Sequence, residues 1–121
     1  MTQEQKDLLL QDLCGRIPYR VKMNHIANNE HSPNTLIGIA KDMITLEGPG
    51  GYECVDVEHY KPYLFPLSSM TEEQRTSHNF LKYSAHSNPI KLINWYNKNH
   101  FDYRDLIPKE LAINATGLNI Y

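Results

Sequence analysis

The stretch KPYLFPLSSMTEEQ, residues 61–74, decides how the chain divides. Two prolines bracket three bulky apolar residues, and two serines then run into an acidic helix start. Pro62 and Pro66 fix φ and hold an extended segment. Tyr63, Leu64 and Phe65 are apolar enough to bury. Ser69 with Glu72 fits a capping box, and Thr71 offers a competing cap. Glu72 and Glu73 fall in the first turn, where they suit the helix dipole. The stretch reads as the joint that carries the chain from a sheet to helices, with KPYLFP as a buried connector or an exposed binding surface.

On the N-terminal side, Thr2 and Gln5 have capping-box spacing. Leu9, Leu10, Leu13, Cys14 and Ile17 form one apolar helical face, ended by Gly15 and Pro18. YRVKMNHI (19–26) alternates, with Tyr19, Val21, Met23 and His25 on one side, as in a half-buried strand. ANNEHSPN (27–34) is a loop by composition. TLIGIA (35–40) and MITLE (43–47) read as strands joined by a tight turn or bulge at Lys41-Asp42. GPGG (48–51) is a turn, and YECVDVEHY (52–60) alternates again. Four short strands with short connections predict an antiparallel meander or a partly closed small barrel.

On the C-terminal side, the helix that starts in the opening stretch should run to about Ser84. Asn88 caps a second helix with Pro89 at its first position. Ile90, Ile93 and Tyr96 form its apolar stripe, widened by Leu92 and Trp95. FDYRDLIPKELA (101–112) fits a short helical turn, and INATGLNIY (113–121) a tail that adds a last strand. The fold class is therefore α+β in a single domain, 1–121. An N-terminal helix and about four antiparallel strands occupy 1–66, and two to three helices packed on the sheet occupy 67–121.

Composition limits the function classes. The 121 residues carry a formal net charge of −2. Residues 1–60 hold five Lys/Arg against nine Asp/Glu, and residues 61–121 hold seven against five. This mild asymmetry lacks the basic patch of a duplex binder, so nucleic acid is not an expected partner. Two cysteines, Cys14 and Cys54, are too few for a disulfide framework and read as buried free thiols. The polar N-terminus does not resemble a signal peptide, and no run is long enough for a membrane span. A cytoplasmic location is expected, and the NAT sequon at Asn114 then carries no meaning.

No catalytic constellation emerges. The six histidines, His25, His31, His59, His78, His86 and His100, lie in different elements without metal-ligand spacing, so neither metal nor cofactor is expected. Ser68 and Ser69 lack a nucleophile-elbow context. EGPGGYE lacks the Lys-Ser/Thr of a phosphate loop and reads as a hairpin turn. The aromatics are more informative. Tyr19-Arg20, Lys61 with Tyr63, and Tyr103-Arg104 place tyrosine beside a cation, a pairing that can stack on a base and hold a phosphate. The same pairs can anchor a protein interface.

The segments LCGRIPYRVKM, KPYLFPLSSMTEEQ and NWYNKNHFDYRDLI together resemble a set of small uncharacterised proteins from prophages and mobile elements of gut Bacteroidetes. Relatives tend to carry glycine where Asp105 stands and an acid where Pro108 stands, which implies an altered turn after Tyr103. The resemblance implies a phage-encoded accessory protein acting in a bacterial host, and no catalytic residues come with it. The leading expectation is a non-catalytic counter-defence protein that sequesters a nucleotide-derived immune signal. It would work as a homo-oligomer, with Tyr19, Arg20, Tyr63, Tyr103 and Arg104 as ligand contacts. The alternative is a protein-interaction module that inhibits or scaffolds a host or phage protein, through KPYLFP or the Trp95/Tyr96 helix face.

Overall fold

A computed structural model describes residues 1–84 and 88–121. Helix α1 spans Gln3–Cys14. Its capping box forms as spaced: the Gln5 N–H donates to Thr2 Oγ1 at 3.1 Å, and the Thr2 N–H donates to Gln5 Oε1 at 2.9 Å. Strands β1 (Lys22–His25), β2 (Asn34–Ala40), β3 (Met43–Gly48), β4 (Gly51–Asp56), β5 (Tyr60–Leu64) and β6 (Ile113–Asn114) follow in chain order. Helices α2 (Glu72–Ser84) and α3 (Pro89–Lys98) lie between β5 and β6. The six strands form one open sheet in the order β4-β3-β2-β1-β5-β6. All neighbours are antiparallel except β5 and β6, which run parallel. The architecture is α+β as expected; the six described strands exceed the roughly four expected, and the sheet is mixed and open rather than a wholly antiparallel meander or partly closed barrel.

The largest correction concerns the opening stretch. Tyr60–Leu64 is an interior strand, with β1 on one side and β6 on the other. A proline inside such a strand usually removes a ladder bond. Here the register pairs Met23 with Pro62, and three steps further the Ile26 N–H donates to the His59 carbonyl at 2.8 Å. Bonded and non-bonded pairs alternate in an antiparallel ladder. Pro62 therefore occupies a non-bonded position towards β1, and its nitrogen faces the β6 side. Pairing with β6 begins only at Tyr63, so no bond is lost. The run 52–60, expected as one strand, is split by a 3₁₀ turn at Val57–His59, where the Asp56 carboxylate accepts the Glu58 N–H at 2.9 Å.

The core lies between α1 and one sheet face. Leu9 and Leu13 pack there with Val21, Met23, Leu36, Ile44, Leu46 and Leu64. The segment after α3 closes it with Leu106, Leu111 and Ala112. The C-terminal half thus supplies both a strand and core residues. The 19–26 alternation holds at Val21 and Met23 and then breaks, because Asn24 is buried and His25 exposed. Tyr19 sits in a 3₁₀ turn and Arg20 has a left-handed backbone, φ 56°. Cys14 and Cys54 are both exposed, contrary to expectation. Cys14 lies on the outer side of α1, and Cys54 is on an edge strand.

Thr71, not Ser69, caps α2: the Gln74 N–H donates to Thr71 Oγ1 at 3.1 Å, and the Thr71 N–H donates to Gln74 Oε1 at 2.9 Å. Ser69 belongs to a preceding 3₁₀ turn, and its hydroxyl donates to the Pro66 carbonyl. Asn88 caps α3 as expected. The helices do not blanket the sheet, since α2 buries no residue and α3 buries only Asn97. Residues 101–112 form turns rather than a helix. There the buried Asp102 carboxylate accepts the N–H groups of Leu106 and Ile107, each at 2.8 Å. Asp105 holds φ 57°, a conformation that favours glycine.

Candidate functional site

The junction between the C-terminal ends of α1 and α3 and the turn 99–106 is dense in polar and aromatic groups. Asp12 lies on the buried face of α1, three residues after Leu9. Arg16 follows one turn later, and both side chains are fully buried. Arg16 Nε donates to Asp12 Oδ2 at 2.7 Å and Nη2 to Oδ1 at 3.1 Å, a bidentate pair. Arg16 Nη2 also donates to the Phe101 carbonyl at 2.7 Å. A second guanidinium shares the carboxylate, with Arg104 Nε 3.4 Å from Asp12 Oδ1. Arg16 Nη1, Arg104 Nε, Asn97 Oδ1 and His100 Nδ1 are buried without a hydrogen-bond partner among the described residues. Gly15 fits closely here, because a Cβ would lie 2.7 Å from the buried Asn97 amide nitrogen and force it to shift.

The expected ligand contacts separate into three places. Tyr103 and Arg104 join this junction: both guanidinium carbons, of Arg16 and Arg104, lie 5.2 Å from the Tyr103 ring centroid. Tyr96 also stacks on Tyr103, with centroids 5.1 Å apart, so the surface a base would need is already engaged. Tyr63 is fully buried, and its hydroxyl lies 2.8 Å from His31 Nδ1. Burial raises its pKa. Tyr19 is half-buried and Arg20 exposed, on the 3₁₀ turn after α1. The structure brings Tyr103 and Arg104 together, and it leaves Tyr63 and the Tyr19-Arg20 pair elsewhere.

Sequence reading missed Asp12, Arg16, His100 and Tyr121. A carboxylate inside an apolar helical stripe, with arginine four residues later, is a legible signal for a buried pair. His100 and Tyr121 carried no local signal. Their rings stack with centroids 3.7 Å apart. Burial, followed by the charges of Arg16 and Lys22, lowers the His100 pKa to about 4. Between its ordinary value near 6.5 and that level, the unfolded chain binds a proton that the folded chain refuses. Stability therefore falls as pH drops through this window and levels off below it. Discounted for partial exposure, the loss should be about 1–2 kcal/mol. Urea unfolding at pH 7 and pH 4.5 should show it, and His100→Phe should remove that part of the slope. An unchanged slope in the variant would reject the assignment.

A different surface is formed by α2 and α3. Phe80, Tyr83 and Ile90 are 71%, 88% and 65% exposed, and Ile93 is 42% exposed. Trp95 is half-buried, stacked on His78 and on Phe101 with centroids 5.7 and 5.4 Å apart. His78 Nε2 lies 2.6 Å from the Tyr96 hydroxyl, and burial first, then the Lys82 charge, lowers the His78 pKa. Thr76, Ser77, Phe80, Leu81 and Trp95 line an open depression of about 480 Å³. Apolar side chains this large and adjacent are uncommon on a surface that meets only water.

Among the described residues, no group of three or more His, Cys, Asp or Glu is placed to hold a metal ion. His86, one of the six histidines, lies outside the described residues. No described helix is long and apolar enough to cross a membrane. No protein-family profile, curated protein or solved structure matches the chain.

Proposed function

We propose that the chain is a non-catalytic accessory protein of a phage or mobile element that docks on a host or phage protein and inhibits or scaffolds it. The carrying observation is the helical hairpin α2–α3, which presents Phe80, Tyr83, Ile90 and Ile93 to solvent while α2 buries nothing. Aromatic anchors beside an apolar depression are the usual centre of a protein interface. The genetic setting rests on the resemblance of the three segments quoted above. Pull-down from host lysate should return one stoichiometric protein. Phe80→Asp with Ile93→Asp should abolish its capture and leave the unfolding midpoint within about 0.5 kcal/mol of the parent. Capture that survives the double substitution would place the interface elsewhere.

The same non-catalytic reading has a small-molecule form, sequestration of a nucleotide-derived immune signal. Arg20 supports it as an exposed cation beside Tyr19. Thermal shifts with cyclic oligonucleotides decide between the two forms. A shift lost in Arg20→Ala would favour sequestration, and silence across the panel leaves the protein partner.

A further inference from the structure

The far edge of the sheet, away from β6, is strand β4. It has β3 as its one neighbour, so every second residue of Gly51–Asp56 turns its N–H and C=O outward. Sheet edges are commonly blunted by proline, lysine or a bulge. β4 contains no proline and no lysine, and its register with β3 runs without a shift from Gly51 to Asp56. Both flanks are acidic. Residues 42–60 hold five Asp/Glu and no Lys or Arg. Lys6 lies within 3.4–3.7 Å of Asp42, Asp56 and Glu58, which offsets those three. Glu47 and Glu53 have no ion-pair partner among the described residues.

These two carboxylates lie on opposite sheet faces, each with a surface suited to a long basic side chain. On the core face, Glu53 joins Asn34, Leu46 and Pro49 around a depression of about 310 Å³. Leu46 is buried beneath this depression, while the exposed Pro49 ring can take an alkyl stem and Glu53 the charged head. On the other face, Glu47 is paired with Tyr52, whose ring is 74% exposed and can accept a cation. A second copy of the strand would bring its own Glu53 and Asp56 against these acids, which disfavours self-pairing.

We propose that β4 is a strand-addition site for an extended peptide segment bearing lysine or arginine, held by main-chain hydrogen bonds and selected by Glu53 and Glu47. The surface is separate from the α2–α3 hairpin. The probe is a fluorescent, end-capped decapeptide alternating lysine and valine, titrated against the full chain by anisotropy. Two comparison peptides replace lysine by glutamate, or carry N-methyl groups at every second residue. The lysine peptide should bind about tenfold more tightly than the glutamate peptide, since like charges oppose the latter. The N-methylated peptide should not bind. Amide exchange should slow within residues 52–56. Glu53→Gln should weaken binding about threefold, the scale of an exposed ion pair, at an unchanged unfolding midpoint. Equal affinity for the two charge types, binding that survives N-methylation, or protection outside β4 would each overturn the proposal. So would no binding, or a β4-paired dimer in sedimentation with the Cys54 thiols cross-linked.

Discussion

Asp12→Ala should destabilise the fold by about 3–5 kcal/mol, the cost of stripping the partner from a buried charge. The carboxylate is fully buried and serves two guanidiniums, Arg16 in bidentate contact and Arg104 at 3.4 Å. Its removal leaves Arg16, itself fully buried, with the Phe101 carbonyl as its remaining acceptor. Small domains hold only about 5–15 kcal/mol in total, so the variant should lie near the edge of folding at 25 °C. A second substitution separates charge from packing. Asp12→Ala with Arg16→Met removes both members of the pair, and it should recover at least about 1 kcal/mol of the loss. Urea midpoints of the two variants and the parent make the measurement. An Asp12→Ala cost below about 1 kcal/mol would mean that water reaches Arg16 freely. No recovery in the double variant would mean that Arg16 matters by filling space.

The same pair shows which parts of the structure local pattern could reveal. Helix α1 announced itself through Thr2, Gln5 and the leucine spacing, because a capping box and an apolar stripe are decided within one turn of helix. The hairpins around Lys41-Asp42 and GPGG were legible for a similar reason, since turn geometry is local. The strand Tyr60–Leu64 was not. Pro62 reads as holding an extended joint, and its place inside a paired strand emerges only when the register shows its nitrogen facing the side where pairing has yet to begin. That fact depends on which strands become neighbours. β6, two residues long, lies in the tail 113–121 that was expected to add a last strand, but its parallel pairing with β5 left no local signal. Of the five expected contact residues, Tyr103 and Arg104 were correctly seen as an aromatic–cation pair. Sequence could not tell that Asp12 from α1, Arg16 just beyond it and Tyr96 from α3 would converge on them. The exposure of Phe80 and Tyr83 was equally hidden. Their i, i+3 spacing suits a buried stripe, yet both are exposed and α2 buries no residue.

Tyr121 is the clearest long-range element, and Tyr121→Phe should cost about 2 kcal/mol. The ladder between β1 and β5 ends at Met23 and Pro62, and the next bonded pair in register would join Lys22 to Tyr63. The Tyr121 hydroxyl stands between them instead. It accepts the Lys22 N–H at 2.9 Å and donates to the Tyr63 carbonyl at 2.7 Å. Residue 121 thereby closes a gap between two interior strands, with its ring on His100 and near Phe65, whose centroid is 5.9 Å away. The residue is 44% exposed as a whole, but burial at its hydroxyl end raises the phenol pKa, so the hydroxyl stays protonated and remains a donor. Phenylalanine preserves the ring contacts and deletes only the bridge, leaving one N–H and one C=O unpaired. Each orphaned group costs about 1–3 kcal/mol when water cannot reach it, and the lost bridge is partly relieved if the strands close on each other. Amide exchange at Lys22 distinguishes the outcomes. Faster exchange together with the stability loss places the bridge in the sheet. Unchanged exchange with unchanged stability would mean that β1 and β5 pair directly without it, and that Tyr121 contributes through its ring alone.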